Sequence, residues 1–128
     1  MLCAALLLVS QAAPKTPAKV VIDYTGASTR QAAHLVSSVR NLLKALPKTK
    51  VEIVCHDGGI ALLTQPGLMR DDAKRLHLKG VRFAVCQNSL RNLHVNPKAV
   101  PTWSSVVPAG IAELVQKQGE GWAYLKAE

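Results

Sequence analysis

Gly80-Val81-Arg82-Phe83-Ala84-Val85-Cys86-Gln87-Asn88-Ser89-Leu90 is the stretch that decides the fold. Val81 to Val85 is a short β-branched and aromatic run opened by a glycine, the pattern of a buried strand, and Asn88 or Ser89 is a good helix N-cap. Cys86 therefore stands at a strand-to-helix turn. Open parallel α/β sheets bind ligands outside the carboxyl ends of their strands, and the unpaired amides of a helix start favour a thiolate over a thiol. The expectation is a reactive thiol on a rim rather than in a core. A free cysteine is also a small hydrophobe of the kind most often buried, so a structural thiol stands beside the reactive one as an alternative.

The flanking sequence repeats the strand-then-helix pattern. Val20-Val21-Ile22-Asp23-Tyr24 reads as a strand, and Ser28 or Thr29 caps a helix in which Ala32, Leu35, Val36, Val39, Leu42, Leu43 and Leu46 recur at three- and four-residue steps until Pro47. Val51-Glu52-Ile53-Val54-Cys55 is a second strand, followed by the Gly58-Gly59 turn and a short helical segment over 60–63. From Asp71 to Lys79 acidic residues come first and basic ones last, matching a helix macrodipole, with Gly80 as the C-terminal cap. Beyond Cys86 the pattern predicts a short helix over 89–93, a brief strand at Val106-Val107, and a helix with Pro108 in its first turn and Ile111, Leu114 and Val115 on one face. A last strand over 122–125 completes the set. Such alternation calls for a parallel sheet with helices on both faces, a compact three-layer α/β sandwich.

A chain of 128 residues, 48% hydrophobic and 19% charged, has the size and apolar content of one ordered domain. Met1 to Val9 is an apolar stretch too short to span a bilayer, followed by small residues, and it reads as the end of a secretory signal peptide over 1–13, although no Lys or Arg precedes it. Residues 14–18 have linker composition, leaving a single domain over 19–128. Export to a periplasm or to the exterior is the expectation, with a frayed terminus on a cytoplasmic protein as the alternative. All 16 Lys and Arg follow the leader, so the net charge of +8 survives processing and favours anionic partners. Those charges are scattered, with few aromatics between them, and form no stacking platform for single-stranded nucleic acid.

Taken in order, five pieces resemble the DsrE/DsrF-like family of small sulfur-relay proteins. They are Asn41-Leu42-Leu43-Lys44-Ala45-Leu46, then Val51-Glu52-Ile53-Val54 leading to His56 and a glycine turn, then the Gly80 to Leu90 stretch. Val106-Val107-Pro108-Ala109-Gly110-Ile111-Ala112-Glu113-Leu114 and Gly119-Glu120-Gly121-Trp122-Ala123-Tyr124-Leu125 complete the match, which spans 19–126. The departure is Asp57-Gly58-Gly59, where a glycine-proline pattern after the histidine is more usual. The resemblance implies a five-stranded parallel sheet of flavodoxin-like order with the first strand in the centre, assembly as a homotrimer or homohexamer, and a cysteine at position 86 that carries sulfane sulfur as a persulfide in some members. Its partners would be sulfur donor and acceptor proteins or small sulfur compounds, with no nucleic acid, no membrane once the leader is removed, and no cofactor.

In that reading Cys86 and His56 are the catalytic pair, with the thiolate attacking a sulfane sulfur and the imidazole moving a proton or steadying the thiolate. Asn88 and Ser89 hold the anionic sulfur at the helix start, and Asp23 and Thr25 line the pocket from the end of the first strand. Each has a plainer alternative: Asn88 or Ser89 as a simple helix cap, His56 as a loop histidine, Asp23 as a structural acceptor. His34, His77 and His94 have no metal-ligand spacing with a cysteine, and no metal is assigned. With the first strand between the second and third, Cys55 and Cys86 are roughly 9.5 Å apart, two strand spacings. That is beyond the about 7 Å Cα limit of a disulfide, which makes Cys55 a core residue. Carrier chemistry is the first expectation; a non-catalytic oligomeric module binding a small anionic ligand at the same rim is the second.

Overall fold

The computed structural model describes residues 18–127; the leader and all of the linker except Ala18 lie outside them. The order is β1 (Lys19–Tyr24), α1 (Thr29–Ala45), β2 (Lys50–Cys55), a 3-10 turn (Asp57–Ile60), α2 (Ala61–Thr64), α3 (Leu68–Leu78), β3 (Arg82–Cys86) and α4 (Gln87–Asn92). A second 3-10 turn (Pro97–Ala99), β4 (Ser105–Val107), α5 (Gly110–Gly119) and β5 (Ala123–Ala127) follow. Local chemistry explains the boundaries. Ser28 and Gln31 close a reciprocal capping box at the start of α1, each side chain accepting from the other's backbone N–H at 3.1 Å. Gly80, at φ +100°, turns the chain out of α3.

All five strands are parallel, in the order β4-β3-β2-β1-β5. This corrects the expected flavodoxin-like order: β2, not β1, is central and lies between β1 and β3. The reason is the right-handedness of parallel crossovers. Each step from β1 through β4 moves one strand in the same direction, which keeps α1, α3 and α4 on one face. The return from β4 to β5 spans the whole sheet the other way, so α5 falls on the opposite face.

Side-chain alternation then divides the strands between two apolar layers. Val20, Ile22, Tyr24, Val51, Ile53, Cys55, Phe83 and Val85 pack against Leu35, Val36 and Val39 of α1 and Leu76 of α3. Val21, Val54 and Ala84 meet only Leu114 of α5, with Val107 and Trp122 partly buried beside them. The second layer is thin. Of the three apolar residues expected on one face of the last helix, only Leu114 is buried, while Ile111 and Val115 are exposed. Pro108 lies outside that helix, because α5 starts at Gly110 with Ala109 as its cap.

Beneath α5 lies a charged group that the strand pattern concealed. Glu52, in the middle of β2, is 1% exposed, and neither carboxylate oxygen has a hydrogen-bond partner. Lys117 of α5 approaches it at 3.5 Å and Arg82 at 3.8 Å. Burial and the neighbouring Glu113 carboxyl outweigh those cations and push the Glu52 carboxyl up to about 7. Lys117 also pairs with Glu113 and Glu120, each at 3.8 Å, and stands 4.9 Å from the centre of the Trp122 ring.

Candidate active site

Asp23, His56 and Cys86 come from three adjacent strands, and strand alternation sends all three toward the α5 face at the carboxyl edge of the sheet. Cys86 ends β3 and is itself the N-cap of α4, so neither Asn88 nor Ser89 takes the cap position expected of them. At 5% exposure it is buried, which corrects the expectation of an open rim thiol. The cover is the start of α5, whose Gly110 N–H donates to Cys86 Sγ at 3.3 Å. Cys86 nevertheless belongs to neither apolar cluster. Its surroundings are hydrogen-bond donors.

Those donors decide the charge on sulfur. Burial pushes the Cys86 thiol up, but the Ser89 hydroxyl, the Gly110 amide and the amides of Ser89 and Asn88 outweigh it and hold the thiol below the ordinary cysteine value. Ser89 is oriented for this task. Its Oγ accepts from the Asp57 N–H at 2.8 Å, which leaves the hydroxyl proton for sulfur. Asp57 reaches that position with φ +47°, a left-handed conformation that aspartate tolerates better than most residues. The Asp57-Gly58-Gly59 departure thus carries a specific contact. Gly59 is required beneath it, since a Cβ there would run into the Tyr24 carbonyl.

Gly110 joins the thiol to the histidine. A Cβ on Gly110 would stand 3.0 Å from His56 Cβ and 3.2 Å from His56 Cγ, so α5 can lie this close to both groups only through a glycine. His56 Nε2 and Asp23 Oδ1 are 2.5 Å apart, and the Tyr124 hydroxyl donates to Asp23 Oδ2 at 2.6 Å. Burial raises the Asp23 carboxyl, but the bonds from Tyr124 and His56 outweigh it and keep Asp23 ionised below its usual range. The arrangement holds an imidazole by one nitrogen against a fixed anion, as proton-moving histidines commonly are.

Of the residues expected here, Cys86, His56, Asp23 and Ser89 converge around Gly110. Asn88 contributes only its amide, and its side chain is exposed. Thr25 is half-buried, and among the described residues its side chain makes no hydrogen bond. Gly110 and Tyr124 escaped the sequence reading. Gly110 acts through its backbone, and Tyr124 is 101 residues from Asp23, found only when β5 is known to pair with β1.

Cys55 is fully buried in the α1-side core, where burial pushes its thiol up to about 12. It is a core residue, as expected, but not for the expected reason. Because β2 and β3 are neighbours, Cys55 lies beside Val85, and Cys86 points to the opposite face. Both thiols are free. Trp103 lies on the α1 side of the sheet, where it stacks on His77 at 5.2 Å and meets Phe83 edge-on at 5.6 Å. Among the described residues no group of three metal-ligating side chains converges, and no helix is long and apolar enough to cross a membrane.

The fold is shared with solved structures. A protein of unknown function from Methanobacterium thermoautotrophicum is 30% identical, with a TM-score of 0.80 over 85% of this chain and 98% of that one. A conserved protein of unknown function from Bacteroides thetaiotaomicron, 15% identical, superposes with a TM-score of 0.69 over 84% of this chain and 93% of that one. No curated protein matches the chain. The DsrE/DsrF-like family model matches residues 10–127, essentially the whole domain just described, and the chain belongs to that family, which is associated with sulfur relay.

Proposed function

We propose that this protein carries sulfane sulfur as a persulfide on Cys86 and passes it to a partner thiol. The observation that supports this most is the set of donors around Sγ, which favours an anionic sulfur in a place that burial alone would keep neutral. In the loading step the Cys86 thiolate attacks the outer sulfur of a donor persulfide. A new S–S bond forms on Cys86, the donor's S–S bond breaks, and the donor leaves as a thiolate that takes a proton. In delivery an acceptor thiolate attacks the outer sulfur and Cys86 departs as the thiolate its donors stabilise. Neither step needs an external oxidant or reductant. His56, fixed by Asp23, is the group that gives the proton to the leaving thiolate, while Ser89 and the Asn88 amide steady the charge.

Export to a periplasm or to the exterior and assembly as a homotrimer or homohexamer belong to the same proposal. Ile111 and Val115, one turn apart on the outer face of α5 and 71% and 64% exposed, supply apolar surface that such an assembly would bury. The 5% exposure of Cys86 favours a second reading, a binding module for a small anion with the cysteine as wall. Intact-mass measurement after incubation with thiosulfate or polysulfide separates the two. A carrier gains sulfur, loses it on reduction, and gains none in Cys86→Ser; a binding module gains none in either form.

A further inference from the structure

The helix that covers Cys86 rests on little apolar support. Leu114 is the only buried side chain of α5, whereas α1 on the other face buries Ala32, Leu35, Val36 and Val39. Segments held by few buried apolar contacts open locally at lower cost than the rest of a fold. Both ends of α5 also leave room to move. It is reached through β4, a three-residue edge strand, and it leaves through Gly119 and Gly121, where an added Cβ would meet no neighbour within 4 Å. Short, loosely packed positions of this kind serve as hinges.

Beneath α5, on the same face of the sheet as Cys86, lies Glu52, 1% exposed and with neither oxygen hydrogen-bonded. Arg82 of β3 and Lys117 and Glu113 of α5 face it, and Lys117 also holds Glu120. Lys19 of β1 reaches past it to the Glu120 carbonyl at 3.3 Å, Lys50 of β2 on the same face is exposed, and Tyr124 of β5 is engaged with Asp23. Burial and the Glu113 carboxyl outweigh Lys117 and Arg82, so the seated helix favours a protonated Glu52. Lifting α5 returns the carboxylate to water and removes that penalty.

We propose that α5 is a lid over Cys86, hinged at Gly119 and Gly121, and that ionisation of Glu52 loosens it, so that the thiol is uncovered more often as pH rises. The closed state binds the Glu52 proton more tightly than the open one. Opening is therefore rarest below the ordinary carboxyl value of 4.5 and increases until about pH 7. As a control on sulfur transfer the lid rests on Cys86 being the reactive thiol; the motion itself does not.

The test is amide hydrogen exchange on the purified full chain from pH 5.5 to pH 8, each rate divided by the intrinsic rate of that amide at that pH. Amides from Leu114 to Gln118 should be at least about tenfold less protected than those of Ile53 and Val54 throughout, as local opening requires. Their opening should increase about tenfold across the range in the native protein and stay level in Glu52→Gln. Iodoacetamide labelling of Cys86 supplies a second readout. Thiolate formation is common to both proteins, so the native-to-variant rate ratio follows the lid and should rise about tenfold from pH 5.5 to pH 8. Equal protection of α5 and β2, or native opening that does not change with pH, overturns the proposal without recourse to any variant. An increase that persists in Glu52→Gln, or a labelling ratio that stays flat, overturns it as well. Opening as described in a protein whose Cys86 gains no sulfur from thiosulfate or polysulfide upholds the lid and refutes the carrier reading alone.

Discussion

Glu52 makes the stability of this fold depend on pH in the sense opposite to most carboxylates. Its folded value of about 7, against 4.5 for the free side chain, is a shift of about 2.5 units. At 1.36 kcal/mol per unit that amounts to roughly 3 kcal/mol. Because the folded value is the higher, the native state binds more protons than the unfolded chain between these two values, and stability falls as pH rises through that window. Above about pH 7 the loss is complete. Glu52→Gln keeps the shape and removes the charge, so the difference between the two proteins reports on Glu52 together with the Glu113 carboxyl and the Lys117 ammonium that face it, and cancels the titrations elsewhere. Urea unfolding at intervals from pH 4 to pH 8 should give nearly equal stabilities at pH 4, below the unfolded value of 4.5. By pH 8 the variant should be the more stable, with roughly 3 kcal/mol as a ceiling because Lys117 and Arg82 lose a partner. A variant less stable than the native protein at pH 8, or a gap that does not close by pH 4, refutes the reasoning.

Three further outcomes follow from the site. Ser89→Ala removes the hydroxyl that acts on Cys86 Sγ, and since a hydrogen bond to a charged group exceeds a neutral one by roughly 1 kcal/mol, the Cys86 thiol should rise by about one unit in the pH dependence of its alkylation. Gly110→Ala drives a methyl group against His56, which should cost about 1–3 kcal/mol in denaturant unfolding and slow Cys86 alkylation at neutral pH as the α5 amide is displaced from sulfur. Tyr124→Phe deletes one of the bonds that hold Asp23 down, so the Asp23 carboxyl, followed by NMR, should titrate at higher pH. Asp23 contributes stability above its unfolded value of 3.8 that is lost as pH falls through its folded value, and the variant should show less of that acid-side loss.

The elements were legible because each is written locally. The β-branched runs at 20–24, 51–55 and 81–86 and the three- and four-residue spacing of Leu35, Val36 and Val39 are properties of neighbouring residues, and Cys86 inherits its place at a strand end from them. Strand order is not written locally. Nothing in Val51 to Cys55 marks it as the central strand, and the acidic residue inside it disguises how deeply it is buried. The site divides in the same way. Cys86, His56 and Asp23 end strands and were found by that fact, whereas Gly110 and Tyr124 reach them from 24 and 101 residues away along the chain. The burial of Cys86 under α5 depends on the one connection that crosses the whole sheet, which no local pattern records.

Whether Cys86 is held as a thiolate is measured most directly by its alkylation rate against pH, read by peptide mass at Cys86 in the native protein and again in urea, where the same thiol has lost its donors. The account predicts a native midpoint below the denatured one. A native midpoint equal to or above the denatured value means that burial outweighs Ser89, Gly110 and Asn88, and it contradicts the account.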